Sequence, residues 1–252
     1  MIKFFRKIRQ NLLTENKFSK YLLYAVGEIV LVVIGILIAL WINNWNQNRL
    51  QDNEEFKSLN FLKAEFEGNL LKLDKNRNLH KSRLNAINEI LFADFSLTSL
   101  VEIDSLYKTS FYSWTYNPSF SSYNSIVSSG KMDKFSNDSL KIRMSELKDL
   151  VADYQEDEEN LWNHSKDELF EQEILNGKIL SEVKFNLRPR TSSELSTDKL
   201  NYIEFFSHPE FRNKLTIAIL HLKLINDEGE ILRNELVELN KLIGENINRL
   251  NK

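Results

Sequence analysis

The chain has 252 residues, no cysteine, and 33 Lys and Arg against 36 Asp and Glu, for a formal net charge of −3. The missing cysteines exclude disulfides, thiol catalysis and cysteine-ligated metals, and the acidic balance argues against nucleic acid as a partner. Seven Gly and three Pro are too few for a turn-rich sheet domain or a glycine-rich phosphate loop, so the composition points to an all-α chain with a polar surface.

Residues 1–20 form a basic arm, in which Lys3, Arg6, Lys7, Arg9, Lys17 and Lys20 stand against Glu15 alone. Ile2, Phe5, Ile8 and Leu12 recur at helical spacing. The arm therefore suits either a short helix lying in the headgroup layer or a purely topological role. Residues 21–45 follow as a transmembrane helix. From Ile29 to Ile42 every residue is apolar or glycine, and Glu28 is the one charge between Tyr21 and Ile42. At about 1.5 Å per residue those 22 residues span about 33 Å, enough to cross a hydrocarbon core. Tyr21 and Tyr24 mark one end and Trp41 and Trp45 the other, where amphipathic rings favour the interfaces. Bulky residues at Leu40, Trp41 and Ile42 spoil a small-x-small cleavage site, so an uncleaved signal anchor is expected.

The charge asymmetry sets the orientation. Beyond Glu28 the chain carries 27 bases against 34 acids, so the positive-inside rule puts the arm in the cytoplasm and the bulk of the chain outside. Within the span, Gly35 and Ala39 form a small-x-x-x-small pair that permits close helix approach, and Glu28, seven residues before Gly35, shares nearly the same face. A carboxylate near mid-membrane costs about 2.5–3.5 kcal/mol on insertion scales. Three roles fit it: a polar clamp between associated helices, an ion-carrying acid, or a group reaching the inner headgroups.

Beyond the span the helix is expected to continue on Phe56, Leu59, Leu62, Phe66, Leu70 and Leu73, with a second segment on Leu84, Ile87 and Leu91 ending near Phe95. Residues 96–134 read as irregular. They hold the aromatic run from Phe111 to Pro118, with Trp114 and Tyr116, which suits a plug at a bundle end or the lining of a ligand pocket. A short helix is expected within Ser119 to Ser129, resting on Phe120, Tyr123 and Val127 and stopped by Gly130.

A long helix follows on Leu140, Met144, Leu147, Val151, Tyr154, Leu161 and Ser165, alternating four and three. Glu158 occupies a core slot of that frame inside the acidic run Asp153, Glu156, Asp157, Glu158 and Glu159. The expected resolution is a frame shift that brings Trp162 inward and leaves the run solvated, with cation binding as the alternative. Residues 177–206, with Arg188-Pro189-Arg190, read as looser. The last helix is announced by Ser207-His208-Pro209-Glu210 as a capping box. It runs on Phe211, Leu215, Ala218, Leu222, Ile225, Leu232, Leu236, Leu239, Ile243 and Leu250, interrupted at Gly229 and Asn246.

No catalytic constellation emerges. His80, His164, His208 and His221 show no metal-ligand spacing, there is no Gly-x-Ser-x-Gly elbow, and Ser128-Ser129-Gly130-Lys131 has the wrong spacing for a serine–lysine nucleophile. His221, beside the core position Leu222, reads as a helix-surface residue. Neither enzymatic activity nor a cofactor or metal is expected.

The run Met1-Ile2-Lys3-Phe4-Phe5-Arg6-Lys7-Ile8-Arg9, then Lys20-Tyr21, Gly27-Glu28 and the apolar stretch to Leu40, closed by Ile42-Asn43-Asn44-Trp45-Asn46, resembles a known pattern. It is similar to a domain-of-unknown-function family of uncharacterised single-pass membrane proteins of Bacteroidota, matched mainly over residues 1–50. The resemblance implies a Gram-negative inner membrane, a periplasmic outer domain, and a place for Glu28 in the family's motif. It implies no activity, ligand or catalytic residue.

The expected architecture is all-α: a cytoplasmic arm (1–20), a transmembrane helix (21–45), and a periplasmic antiparallel helical bundle (46–252). The expected function is a membrane-anchored interaction or scaffolding protein. Its partners are the lipid bilayer and, through Glu28, Gly35 and Ala39, a second copy or another membrane protein. Two alternatives are a ligand-sensing bundle that uses Trp114 and Tyr116 and relays to a membrane partner, and a stator-like subunit of an ion-driven complex that uses Glu28.

Overall fold

The computed structural model describes residues 18–169, 171 and 191–251, with side chains from Leu22 onward except Tyr24. The arm's apolar stripe, the interfacial Tyr21 and Tyr24 rings, and Arg188-Pro189-Arg190 therefore lie outside the described residues or side chains. Among the described residues every element is helical: α1 (Phe18–Phe92), α2 (Leu100–Phe111), α3 (Ser121–Ser128), a 3-10 turn (Met132–Lys134), α4 (Asp138–His164) continued by a π turn (Ser165–Leu169), α5 (Ser192–Ser207) and α6 (Pro209–Leu250). Contacts divide the chain into two units, Met1–Phe56 and Lys57–Lys252.

The described part of the first unit is helix alone. It is long and apolar enough, by length and composition, to cross a membrane, and its most apolar window buries nothing within the chain.

The second unit is organised by three long helical frames. On α1 one buried frame runs through Leu59, Leu62, Phe66, Asn69, Leu73, Asn76, His80, Arg83, Ile87 and Ile90, alternating three and four without a break. The two segments expected here are thus one helix. On α4 the frame holds Leu140, Met144, Leu147, Val151, Tyr154, Glu158 and Leu161, with Ser165 following in the π turn. The frame does not shift: Glu158 is buried, while Trp162 is 45% exposed. On α6 every expected core position up to Ile243 is buried, and so are Gly229 and Asn246. Contacts Asn137–Asn246, Arg143–Glu235 and His164–Lys214 run α4 and α6 in opposite directions. Contacts Asn76–Tyr154, His80–Glu158 and Arg83–Ser165 run α1 and α4 in the same direction.

Gly229 is a close approach rather than an interruption. A Cβ placed there would stand 2.9 Å from Tyr154 Cε2 and 3.2 Å from Arg77 Cδ, so the absence of a side chain is what lets three helices meet.

Each of two stretches expected to be irregular holds a helix that starts at a capping box. Ser99 and Glu102 cap α2, with Glu102 N donating to Ser99 Oγ and Ser99 N to Glu102 Oε2. Thr191 and Glu194 do the same for α5. Each satisfies backbone donors that the first turn leaves open. The box expected at Ser207 does not form. His208 is the N-cap residue of α6 without a side-chain bond, and the Ser207 hydroxyl donates to Ile203 O inside α5.

Helix α3 stops at Gly130, whose φ of 68° suits a residue without a Cβ. Its inward face is Tyr123 and Ile126, not Val127, which is exposed. Together α2, α5 and the start of α6 enclose an aromatic cluster in which Phe205 and Phe211 stack at 4.2 Å and Tyr107 and Phe111 lie at 4.6 Å.

Candidate functional site

The aromatic run after α2 divides its residues between two tasks. Phe111 joins the buried cluster, 6.0 Å from Phe211. Tyr116 crosses onto α1 and α4, and all its polar atoms are engaged. Its N–H donates to Glu158 Oε2 at 2.7 Å, its carbonyl accepts from Gln155 Nε2 at 2.7 Å, and its hydroxyl donates to Asn69 O at 3.2 Å. Its ring meets Tyr154 edge-on at 5.9 Å. Trp114 stays half-buried, edge-on to His80 at 6.4 Å and near Tyr112 at 6.0 Å.

Beneath these rings runs a buried polar seam. Glu158 uses one carboxylate oxygen for Tyr116 N–H and the other for His80 Nε2 at 2.7 Å. A turn further along α1, Arg83 is fully buried and donates to Ser110 O, Ser113 Oγ and Ser165 Oγ at 2.6–2.8 Å. Burial lowers its guanidinium to about 10, and the three acceptors are neutral. A turn before His80, Asn76 Oδ1 accepts from the Tyr154 hydroxyl at 2.7 Å. Burial, and then the Glu158 charge, push the Tyr116 and Tyr154 hydroxyls far above their ordinary range, so both act as neutral donors. Arg77 pairs with Glu230, and Asp74 with Arg233 at 2.7 Å, where α1 meets α6.

Against this seam Trp114 and Tyr116, with Thr115 and Asn117, form one wall of an open groove of about 440 Å³, whose other wall is the Lys72, Lys75, Asn76 and Leu79 face of α1. The structure thus brings Trp114 and Tyr116 into one site but gives them different parts. Tyr116 is structural floor, and Trp114 is accessible wall.

The acidic run of α4 is mixed. Asp153, Glu156 and Glu159 are exposed, Asp157 is half-buried and Glu158 is buried. Glu228 of α6 faces this run, and burial together with Asp157, Asp153 and Glu156 raises its carboxyl above the usual range. Among the described residues no group of three or more His, Asp or Glu is placed to hold a metal ion. His221 is half-buried, its ring 5.7 Å from His164.

Glu28, Gly35 and Ala39 all lie on the apolar part of α1. Glu28 is partly covered and Ala39 is exposed. A Cβ at Gly35 would meet nothing within 4 Å. At Gly35 and Ala39 the helix surface is open.

Sequence reading missed His80, Arg83 and Asn76 as members of the α1 frame because it followed apolar residues alone. The signal was present in the unbroken three/four spacing through Asn69, Asn76, His80 and Arg83, opposite a core-slot Glu158.

Fold and site together define a protein that is helical throughout its described residues, with a helical unit seamed by buried polar groups and, among those residues, one helix apolar enough to cross a membrane. The chain belongs to a family of unknown function, DUF6090, whose model matches residues 28–221. The match begins at Glu28 and reaches far into the second unit, whereas the resemblance drawn from the sequence rested mainly on residues 1–50. No curated protein and no solved structure matches the chain.

Proposed function

We propose that this protein is a membrane-anchored scaffold. The apolar part of α1 crosses a bilayer, two copies associate through the Glu28, Gly35 and Ala39 face, and the second unit stands on the periplasmic side of an inner membrane as a helical interaction domain. The carrying observation is that the run Ile29–Ile42 is exposed along its whole length, whereas the frames of the second unit bury their own apolar residues. In water that exposed surface would cost about 25 cal/mol per Å²; in lipid the cost vanishes, and small residues then serve helix–helix approach. The six bases before the span and the acidic excess after it support an inward arm and an outward bulk. A carboxylate on the associating face gains from a donor on a partner helix, which offsets its burial.

Crosslinking in native membranes tests this reading. Gly35→Leu with Ala39→Leu is expected to abolish the crosslinked dimer while membrane attachment persists. An unchanged oligomer would remove the association face, and recovery of the intact chain in the aqueous fraction without detergent would remove the anchor. Protease added to spheroplasts is expected to digest the second unit. Protection there, with digestion only after lysis, would reverse the proposed orientation.

A further inference from the structure

The groove beside Trp114 carries a charge pattern that neither the family nor the scaffold reading assigns. Lys72, Lys75, Asn76 and Leu79 fall at i, i+3, i+4 and i+7, so one stripe of α1 places two ammonium groups and an amide along the groove wall. Like charges this close repel. Among the described residues neither lysine has a carboxylate within salt-bridge distance: Lys72 donates only to Asn117 O at 3.3 Å, and Lys75 has no partner. Asp74, beside Lys75 in the chain, is committed to Arg233 and Arg77, and Glu158, which holds the groove's Tyr116, is committed to His80 and Tyr116 N–H. Because Asn76 Oδ1 is taken by Tyr154, the amide presents its Nδ2 as a further donor. The remaining groove surface is mainly apolar, from Leu79 and Trp114 over the fixed Tyr116 floor.

We propose that this groove binds a small organic anion: a carboxylate on a flat apolar body, its charge held by Lys72 and Lys75 and its body laid against Leu79 and Trp114. The volume of about 440 Å³ lies within the usual range for small-molecule sites, where a few polar groups set orientation on an apolar lining. Ammonium groups act as point charges that tolerate several carboxylate poses, which suits a class of ligand rather than one shape. The floor needs no rearrangement to accept it, since every polar atom of Tyr116 is already bonded.

The test is equilibrium dialysis of 2-naphthoate against the full-length chain in nanodiscs of zwitterionic lipid, with empty nanodiscs as blank. The expected result is saturable uptake of one molecule per chain, weakened about tenfold or more in the exposed pair Lys72→Glu with Lys75→Glu. Uptake is also expected to weaken in Trp114→Ala, to be unchanged in Trp162→Ala, and to fall about tenfold for the neutral 2-naphthamide. Circular dichroism confirms that the lysine variant keeps its helix content. No uptake above the blank, equal affinity in the lysine variant, or equal affinity for the amide would each overturn the proposal. The outcome is independent of whether α1 associates with a second copy.

Discussion

Helix α1 carries two kinds of sequence in one unbroken run, and the two solve the burial problem differently. Between Ile29 and Ile42 the side chains are apolar on every face, and all are exposed. Between Lys57 and Phe92 most apolar residues follow a stripe that is buried within its own unit, while Phe61, Leu71 and Phe92 stand exposed outside it. A helix that is greasy all round has no polar face to give to water, so its stability lies in its surroundings; a striped helix completes itself within the chain. The contrast extends to charge. The apolar stretch from Tyr21 to Ile42 carries one charge, Glu28, whereas the second unit buries His80, Arg83 and Glu158 together among partners from its own residues.

The sharpest way to break this contrast is to remove a partner inside the second unit. Glu158→Leu leaves His80 and the Tyr116 N–H without their acceptor in a buried place, and a loss of about 3–5 kcal/mol is expected. Urea unfolding followed by circular dichroism would read it, and a loss below about 1 kcal/mol would show the seam to be dispensable. Gly229→Ala comes next. The new Cβ would stand 2.9 Å from a Tyr154 ring whose hydroxyl is held by Asn76. Overpacking of about 1–3 kcal/mol is set against a helix-propensity gain of about 1 kcal/mol, for a net loss of up to about 2 kcal/mol. A stabilised variant would show that Tyr154 and Arg77 give way freely.

Frames of apolar residues were legible because a three/four spacing is a direct image of one helix face. Leu140 to Leu161 and Phe211 to Ile243 could be followed residue by residue. Polar members of the same faces were not legible as core, since a lone residue such as His80 or Arg83 reads as solvated until its partner is known. Those partners lie 82 residues away in the case of Arg83 and Ser165, and 78 for His80 and Glu158. The same limit explains Trp162. Bulk alone suggested an inward residue, but once His80 and Tyr116 satisfy Glu158 the frame has no reason to shift. Trp114 and Tyr116 were visible as an aromatic cluster, yet only the backbone path beyond α2 sets one as wall and the other as floor. The lysines opposite them carry no sequence signal for a groove, because two lysines three apart describe any solvated helix.

Capping sharpens the comparison at a smaller scale. Ser99→Ala is expected to cost about 1 kcal/mol by opening the first turn of α2, whereas Ser207→Ala should stay within about 0.5 kcal/mol because that hydroxyl caps nothing. Equal effects in urea unfolding would mean that the box at Ser99 contributes no more than an exposed serine. The two sites share the same sequence signature, so the difference isolates geometry from composition.

The smallest effect concerns Glu65, which belongs to the striped part of α1 and receives the start of α3. Burial pushes its carboxyl up, but the Ser122 and Tyr123 N–H groups and the Ser121 and Ser119 hydroxyls together outweigh this and hold it below 4.5. A carboxyl lowered on folding binds its proton more readily in the unfolded chain. Its stabilisation is therefore present in full above 4.5, the unfolded value, and is lost as pH falls through the lower folded value. Glu65→Gln is expected to flatten the fall in stability with acid in that window and to change nothing in the pH dependence near neutrality. The side chain is half-buried rather than sealed from water, so solvent screening keeps the effect small. An identical acid limb in the variant and the parent would show that α3 takes its N-terminal cap from water and not from α1.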